Sequence, residues 1–296
     1  MTKAMKFSII TPSYNQGVFI EETILSVLNQ EWDDIELIVM DGGSKDNTLE
    51  ILSRYDQRII WRSEPDNGQT DAINKGLRLC TGDIIAYLNS DDTYEPGVFR
   101  LVADHFAAHP ECDMVFGAVH HIDPASNVIE TLSPGPLDLE EYLRANFYLP
   151  QPTVFFRRRV FEEIGFFDDS LNLGMDLDYW LRVVLKFRID YIPKVLANAR
   201  IYPEAKSSAM RHLYVEERRR ILDKFFSSPD VPEEIRAKKD TFYSNIYLHG
   251  SYDNFCIGHY RDCLHYLNKS IRTDPRNVVR PKNYVLLAKK KLFRKT

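Results

Sequence analysis

The sequence is poor in the features that mark disulfide-stabilised and membrane-spanning proteins. Its four cysteines, Cys80, Cys112, Cys256 and Cys263, form no C-x-x-C pair, which favours a reducing compartment over a disulfide scaffold. No apolar run approaches the length of a membrane-spanning helix. The N-terminal residues lead directly into a strand-like segment, so we expect no signal peptide and predict a cytoplasmic protein.

Two common kinds of nucleotide-binding loop are also missing. Neither G-x-G-x-x-G nor G-x-x-x-x-G-K-[ST] follows any predicted strand, which argues against a dinucleotide oxidoreductase and against a P-loop enzyme. A formal net charge of −5 gives no overall bias toward nucleic acid. A composition of 44% hydrophobic and 27% charged residues is typical of a globular protein, and 296 residues are enough for one large domain or for a domain with a smaller appendage.

Strand and helix patterns alternate through the first half of the chain. Short apolar segments predict strands at 7–10, 35–40, 59–61, 84–88 and 114–119, and amphipathic patterns predict helices at 20–29, 48–55, 70–79 and 98–107. This alternation predicts an α/β fold with a largely parallel sheet and helices on both sides. Further along, a strand is expected at 153–156 and a helix at 177–187.

Polar loops follow four of these strands in succession. They are the segments 11–17, 41–46, 62–69 and 89–92, which are rich in small, acidic and amide residues. In an open α/β sheet, ligands bind in the crevice outside the carboxyl ends of the strands. One polar turn is ordinary at such a position, but four in a row predict a single ligand-binding crevice.

The last of these loops, Asn89-Ser-Asp-Asp92, ends a buried strand with two adjacent carboxylates. Two neighbouring anions lose solvation there and repel each other, which a hard divalent cation would offset. Mg²⁺ or Mn²⁺ held by Asp91, Asp92 or both would bridge diphosphate oxygens in place of a Gly-rich loop. The alternative is a solvated Asp-Asp turn that leads into the next helix.

A second carboxylate locus lies at the start of the predicted helix 177–187. Asp176 and Asp178 fall in its first turn, where the helix dipole favours negative charge without any further role. If the crevice supports substitution at a sugar carbon, a base must take the proton of the acceptor. A carboxylate such as Asp176 could supply that base.

Five motifs in a fixed order carry a resemblance to a known family. They are Ile9-Ile-Thr-Pro-Ser-Tyr-Asn15, Met40-Asp-Gly-Gly-Ser-Lys-Asp-Asn-Thr48, Ser63-Glu-Pro-Asp-Asn-Gly-Gln-Thr-Asp-Ala-Ile-Asn-Lys-Gly76, Leu88-Asn-Ser-Asp-Asp92 and Met175-Asp-Leu-Asp-Tyr-Trp-Leu-Arg182. The chain resembles the family 2 glycosyltransferases over residues 5–205, and within them the bacterial enzymes that build O-antigen, capsule or exopolysaccharide. The resemblance implies the GT-A nucleotide-sugar fold, with a Rossmann-like, mostly parallel sheet flanked by helices.

The resemblance also implies a role for each matching position. The nucleotide-sugar would be bound by Thr11, Pro12, Ser13, Asn15, Asp41, Asp66, Lys75, Asn89, Ser90 and Asp91, with Asp41 in the place of the family's uracil-binding Asp. Asn89 to Asp91 occupy the family's D-x-D position, so Asp91, with Asp92 beside it, is expected to hold Mn²⁺ or Mg²⁺. Asp176 falls where the family keeps its catalytic base, and Asp178, Trp180 and Arg182 would support it.

Two positions depart from the family pattern. Asn89 replaces the first acid of the D-x-D motif, which removes one charge from the predicted metal site. Tyr202 stands where many relatives have a His that can reach the metal or the diphosphate. The sequence assigns no role to Tyr202.

The C-terminal part of the chain predicts helices only, at 215–226, 233–249, 259–271 and 283–293. We therefore expect a catalytic domain at 1–212 and a helical region at 213–296, which contains one tetratricopeptide-like hairpin at 258–275. The strongly basic segment 289–295 is either a solvated tail or a contact with an anionic membrane surface, which would place the protein at the inner face of the membrane.

The resemblance implies an inverting, metal-dependent transferase that uses a UDP-sugar and a glycan or lipid-linked saccharide acceptor, by direct displacement with Asp176 as base. The alternative from another class is a non-catalytic nucleotide-sugar-binding or scaffold protein that acts through its helical C-terminal region. A nucleotidyltransferase would need a basic loop for the triphosphate after the first strand, and the segment 14–17 has no basic residue.

Overall fold

The computed structural model describes residues 5–202 and 214–279. The chain divides into two compact units, Met1–Leu137 with Leu149–Tyr202 and Asp138–Tyr148 with Pro203–Thr296. The predicted domain boundary at residue 212 lies outside the described residues and stays a prediction. Among the residues described, no helix has both the length and the apolar character needed to cross a membrane.

A single sheet forms the centre of the first unit. Its strands are β1 (Phe7–Ser13), β2 (Ile35–Asp41), β3 (Ile60–Ser63), β4 (Ile84–Tyr87), β5 (Thr93–Tyr94), β6 (Met114–Ile122), β7 (Val128–Leu132), β8 (Phe155–Arg157) and β9 (Ile189–Arg200). Their order is β3-β2-β1-β4-β8-β6-β9-β5, and β7 pairs with β6. The strands β1, β2, β3 and β4 pair in parallel, as predicted.

The other half of the sheet is mixed. Strand β8 runs antiparallel to both β4 and β6, and β6 runs parallel to β9. As a result β6 and β9 point the same way as β1, β2 and β4. The carboxyl ends of all five strands therefore lie along one edge of the sheet, which is where the predicted crevice falls.

Helices in the first unit flank the sheet. They are α1 (Ile20–Leu28), α2 (Thr48–Ser53), α3 (Gln69–Leu79), α4 (Val98–Ala108), α6 (Arg158–Ile164) and α7 (Met175–Val184). Helix α1 buries the face that its period predicts, including Ile20, Ile24 and Val27. Helix α3 can approach β1 closely because Gly76 has no side chain: a Cβ there would lie 2.4 Å from Cγ2 of Ile10. The fold class predicted from the sequence is thus confirmed.

An aromatic group forms the middle of the core between α4 and the sheet. The ring of Phe7 stacks on Phe99 at 4.7 Å, and Phe155 meets both rings edge-on. All three side chains are completely buried. Because Phe7 and Phe155 belong to β1 and β8, this group joins the parallel half of the sheet to the mixed half.

The second unit is helical in its described part. It contains α5 (Leu139–Leu143), α8 (Tyr214–Ser227), α9 (Glu233–Arg236), α10 (Lys239–Cys256), α11 (Tyr260–Thr273) and α12 (Pro275–Val278). The predicted single helix 233–249 is wrong in its extent, since the chain turns between α9 and α10. The predicted helix 283–293 and the basic segment 289–295 lie outside the described residues.

The segment Asp138–Tyr148 joins the second unit, whereas the sequence analysis kept it in the first domain. Long-range contacts explain this placement: Glu140 pairs with Lys238, Arg218 donates to the carbonyl of Tyr142 at 2.9 Å, and Arg144 lies over the ring of Phe242. These partners are 76 or more positions away in the sequence. The sequence pattern of the segment itself therefore could not predict these contacts.

Candidate active site

The loops that follow β1 and β2 are tied together by hydrogen bonds. The backbone N–H of Asn15 donates to Oγ of Ser44 at 2.7 Å, and the Asn15 side chain accepts from the N–H of Lys45 at 2.8 Å. Asn15 has φ 52°, a left-handed conformation that Asn tolerates better than most residues. Asn15 therefore shapes the crevice wall through its backbone and its amide.

Asp41 ends β2 as a buried carboxylate with a full set of donors. Its Oδ2 accepts from the N–H groups of Gly43 and Ser44 at 3.0 and 2.9 Å and from Oγ of Ser63 at 2.6 Å. The hydroxyl of Ser44 donates to Oδ1. This arrangement fixes the turn after β2 and holds the ends of β2 and β3 in register.

Two side chains at the end of β1 lack partners. The hydroxyls of Thr11 and Ser13 are buried, and neither has a hydrogen-bond partner within the described ranges. Buried polar groups in native proteins are nearly always satisfied, so an unpaired pair beside a crevice indicates a ligand. Between them lies Pro12, which is buried in the same strand.

The loop after β3 contributes Asp66 and Lys75 in different ways. Asp66 accepts from the N–H of Gly68 at 2.9 Å, and its carboxylate lies so close to Gly42 that a Cβ there would be 2.7 Å from Oδ2. Asp66 is therefore on the crevice side of the loop. Lys75 instead pairs with Glu64 and Asp71 at 3.0 and 3.3 Å, which braces the loop against α3.

Asn89, at the end of β4, is held by two glutamines. Its Oδ1 accepts from Nε2 of Gln69 at 2.7 Å, and its Nδ2 donates to Oε1 of Gln151 at 3.3 Å and to Oδ2 of Asp92 at 3.1 Å. Gln151 in turn donates to the carbonyl of Tyr87 at 2.7 Å. Gln69 belongs to a polar loop and a motif that the sequence already marks, although no role was predicted for it. Gln151 belongs to no predicted motif and could not be found from the sequence.

Asp92 is buried, and protein donors hold both of its carboxylate oxygens. Oδ1 accepts from the backbone N–H of Arg200 at 2.9 Å, and Oδ2 accepts from Asn89. Burial, and then the charge of Asp91, raise the pKa of Asp92 well above its usual range. Its own contacts make Asp92 a link between β4 and the end of β9.

Asp91 is partly buried and accepts a hydrogen bond from Tyr202. The phenol oxygen lies 2.7 Å from Oδ2 of Asp91. Burial raises the pKa of Asp91, while the Tyr202 hydrogen bond and the charge of Arg200 act in the opposite direction. The side chain of neighbouring Ser90 is buried.

Arg200 is a buried cation that sequence reasoning did not single out. Its Nε donates to the carbonyl of Asp91 at 2.8 Å, its second nitrogen reaches the carbonyl of Asp123 at 3.0 Å, and its third pairs with Glu22 at 2.7 Å. The guanidinium also lies 4.6 Å from the ring centroid of Phe19. Arg200 thus fixes the backbone of the Asp91 loop against α1 and the β6–β7 turn.

The start of α7, which includes Asp176, packs against the start of α3. The hydroxyl of Thr70 donates to the carbonyl of Leu171 at 2.9 Å and contacts Sδ of Met175 at 2.7 Å. The preceding residue, Gln69, holds Asn89. The first turn of α3 therefore places the start of α7, with Asp176 in its first turn, beside the Asn89 corner.

Three further residues of α7, Asp178, Trp180 and Arg182, are expected to support Asp176. Asp178 is buried and accepts from Nε of Arg182 at 2.9 Å. Arg182 also donates to the carbonyls of Ile164 and Phe166, at 2.9 and 3.0 Å. Trp180 is buried, and its indole N–H lacks a partner in the part of the chain that the structure describes. These contacts anchor α7 and so orient its N-terminus.

A separate cluster of ligand-type side chains lies near the opposite edge, at the start of β9. Within the described ranges, the one group of three or more such residues is His105, Cys112 and Asp190. Asp190 accepts from Nε2 of His105 at 3.2 Å and from Nε of Arg188 at 3.1 Å. Burial raises the pKa of the Cys112 thiol to about 12. A protonated thiol and a paired guanidinium indicate a hydrogen-bond network here.

Comparison with protein families gives one match, to the model described as Glycosyl transferase family 2, over residues 8–165. A "PGL/p-HBAD biosynthesis glycosyltransferase" of Mycobacterium bovis is 32% identical over 184 residues, which are 60% of this chain and 70% of that protein. An uncharacterized glycosyltransferase of Rickettsia typhi is 27% identical over 249 residues, 81% of this chain and 78% of that protein.

Solved structures share the fold at low identity. The structure of S. aureus TarS 1-349 in complex with UDP-GlcNAc matches with a TM-score of 0.70 and 20% identity, over 96% of this chain and 88% of that one. The longer TarS chain is matched over 50% of its length. A mannosyltransferase from Pyrobaculum calidifontis, in complex with GDP-Man and Mn²⁺, matches with a TM-score of 0.59 and 17% identity, over 94% of this chain and 88% of that one.

Proposed function

The chain belongs to glycosyl transferase family 2, and on that premise we propose that it is an inverting transferase that moves a sugar from a UDP-sugar to a saccharide or lipid-linked saccharide acceptor. The observation that carries the proposal is the corner at the end of β4. There Asn89 accepts from Gln69 of α3 and donates to Gln151, Asp92 accepts from the backbone of Arg200, and Asp91 accepts from Tyr202.

The nucleotide is proposed to lie along the ends of β1, β2 and β3. The buried hydroxyls of Thr11 and Ser13, which have no hydrogen-bond partner among the described residues, support this placement. Asp41 holds the turn that borders this space, and Asp66 faces Gly42 across it. A UDP-sugar is favoured over a GDP-sugar because the TarS complexes with UDP and UDP-GlcNAc match with TM-scores of 0.67 and 0.70, against 0.59 for the complex with GDP-Man.

A divalent cation, Mn²⁺ or Mg²⁺, is proposed at Asp91, with Asp92 behind it. The residues fit such an ion, because burial of two adjacent carboxylates is unfavourable and their pKa values are raised. When bound, the ion would neutralise charge on the diphosphate of the departing nucleotide. Since protein donors occupy both oxygens of Asp92, we assign the direct contact to Asp91.

Asp176 is proposed as the base that takes the proton of the acceptor hydroxyl. The hydroxyl oxygen forms a bond to the anomeric carbon while the bond from that carbon to the diphosphate breaks. The electron pair leaves with UDP, and the proton goes to Asp176. One displacement inverts the configuration at the anomeric carbon. The predicted contact of the basic C-terminal segment with an anionic membrane lies outside the described residues and stays a prediction.

The substitution Asp176→Asn tests this assignment. It keeps the shape of the side chain and removes its basicity, so we expect UDP affinity within about twofold of wild type. Removal of a general base slows transfer by roughly 10²–10⁴-fold. The measurement is UDP release from UDP-GlcNAc with Mn²⁺ and a panel of saccharide acceptors, together with calorimetric titration of UDP.

Asp169→Asn is a matched control, because Asp169 is an exposed carboxylate in the turn before α7. It should leave both quantities unchanged. Turnover of Asp176→Asn at the wild-type rate would remove Asp176 from the base role. Saturable UDP binding by wild type without turnover on any acceptor would favour a nucleotide-sugar-binding protein.

A further inference from the structure

We infer that Tyr202 is a positioning residue for Asp91: it holds one carboxylate oxygen, and the other oxygen would be left to bind a divalent cation. The phenol of Tyr202 donates to Oδ2 of Asp91 at 2.7 Å. This inference rests on the proposed donor site, and it adds a residue to which the sequence assigns no role.

The chemistry of the contact suits this role. A hydrogen bond to an ionised carboxylate is shorter and stronger than one between neutral groups. Because Asp91 is partly buried, water competes for its oxygens less than at the surface. A donor on Oδ2 therefore favours one rotamer of the Asp91 side chain, which fixes the direction of its carboxylate.

Tyr202 is itself held by its surroundings. Its ring lies 5.5 Å from that of Phe19, and Phe19 lies against the guanidinium of Arg200 at 4.6 Å. Arg200 precedes Tyr202 by two positions and binds the Asp91 backbone at 2.8 Å and the Asp92 carboxylate at 2.9 Å. Backbone and side-chain hydrogen bonds from the end of β9 and from Tyr202 therefore hold Asp91 and Asp92 in place.

The other hydrogen bonds at this corner involve different atoms. Gln69 and Gln151 contact Asn89, and the amide of Arg200 contacts Asp92. Among the described residues, Tyr202 is the side chain that donates a hydrogen bond to the Asp91 carboxylate. Loss of its hydroxyl should therefore change Asp91 and leave the rest of the corner in place.

Tyr202→Phe removes this hydroxyl and keeps the ring against Phe19. Tyr55→Phe is a matched control, since Tyr55 donates to Glu21 at 3.0 Å, an equivalent pair away from the crevice. The full chain is titrated with Mn²⁺ at saturating UDP, and the free ion is read by electron paramagnetic resonance. Thermal unfolding and UDP affinity in EDTA are measured in parallel.

We expect Tyr202→Phe to bind Mn²⁺ roughly tenfold more weakly, from the loss of one hydrogen bond to a charged group. The melting temperature and the UDP affinity in EDTA should stay at wild-type values. Tyr55→Phe should match wild type in Mn²⁺ affinity.

Unchanged Mn²⁺ affinity of Tyr202→Phe would overturn the positioning role. An equal loss of UDP affinity in EDTA would also overturn it, because Tyr202 would then shape the nucleotide pocket rather than Asp91. If wild-type protein binds UDP but no Mn²⁺, the metal assignment is wrong. The inference about Tyr202 is then wrong as well, whereas the proposed nucleotide site is unaffected.

Discussion

At the scale of single residues, the crevice is organised by side chains that bind other side chains. Asn89 shows how the family's first acid can be replaced: its amide accepts from Gln69 and donates to Asp92 and Gln151. An Asp could not make the two donations. The exchange of a charge for an amide therefore lowers repulsion with Asp92 and gives the corner a fixed geometry without any ion.

The stability of this corner depends most strongly on Arg200. We expect Arg200→Met to destabilise the protein by about 3 kcal/mol, because it leaves buried acceptors and Glu22 without their cation. Arg54→Met removes a pair with Glu21 in which both side chains are about half exposed, so it should cost under about 1 kcal/mol. Urea midpoints of the two variants give the comparison, and equal effects would contradict the role assigned to Arg200.

At the scale of elements, the parallel strands and the helices of the first half could be predicted, since each has a clear period. Strands β5, β7 and β9 could not. Strand β9 contains Pro193 and polar residues, and its pairing with β6 includes irregular register. Its importance comes from its end, Arg200, and from the following Tyr202. Their partners lie more than 70 positions earlier in the chain.

A second network joins elements at the amino ends of the parallel strands. Glu36 of β2 accepts from Ser8 of β1, from Thr81 before β4, and from Lys6 at 2.9 Å. Burial acts to raise the pKa of Glu36, but these hydrogen bonds outweigh burial and lower the pKa from 4.5 to about 2. The ionised carboxylate therefore stabilises the packing of three strand starts.

The pH dependence of stability tests this network. A lowered folded-state pKa gives stability that is present above pH 4.5 and is lost as the pH falls toward 2. Glu36→Gln should therefore cost about 2 kcal/mol at pH 7 and progressively less below pH 4.5. Urea midpoints at pH 7 and pH 3.5, with exposed Glu31→Gln as control, provide the measurement. A constant difference at both pH values would rule out the ionic contribution.

At the scale of the whole molecule, the sequence predicts where the acidic corner lies, but it does not predict which side chains hold that corner in place. The sequence places Asp41, Asp66, Asn89 and Asp91 at strand ends, and the sheet brings these ends to one edge. Gln151 and the buried Arg200, which help to position them, come from separate segments without a local signal. For the same reason, the assignment of Asp138–Tyr148 to the helical unit depends on distant partners.

Calorimetric titration of UDP-GlcNAc into wild type and Asp91→Ala, each in Mn²⁺ and in EDTA, tests the nucleotide-sugar site most directly. Loss of an outer-shell partner of a metal ligand typically weakens metal binding by roughly 10–100-fold, so loss of the ligand itself should cost at least as much. We expect wild type to bind at least tenfold more tightly with Mn²⁺ than in EDTA, and Asp91→Ala to bind weakly and equally in both. Tight binding by Asp91→Ala that still depends on Mn²⁺ would contradict the account, because the ion would then lie away from the end of β4.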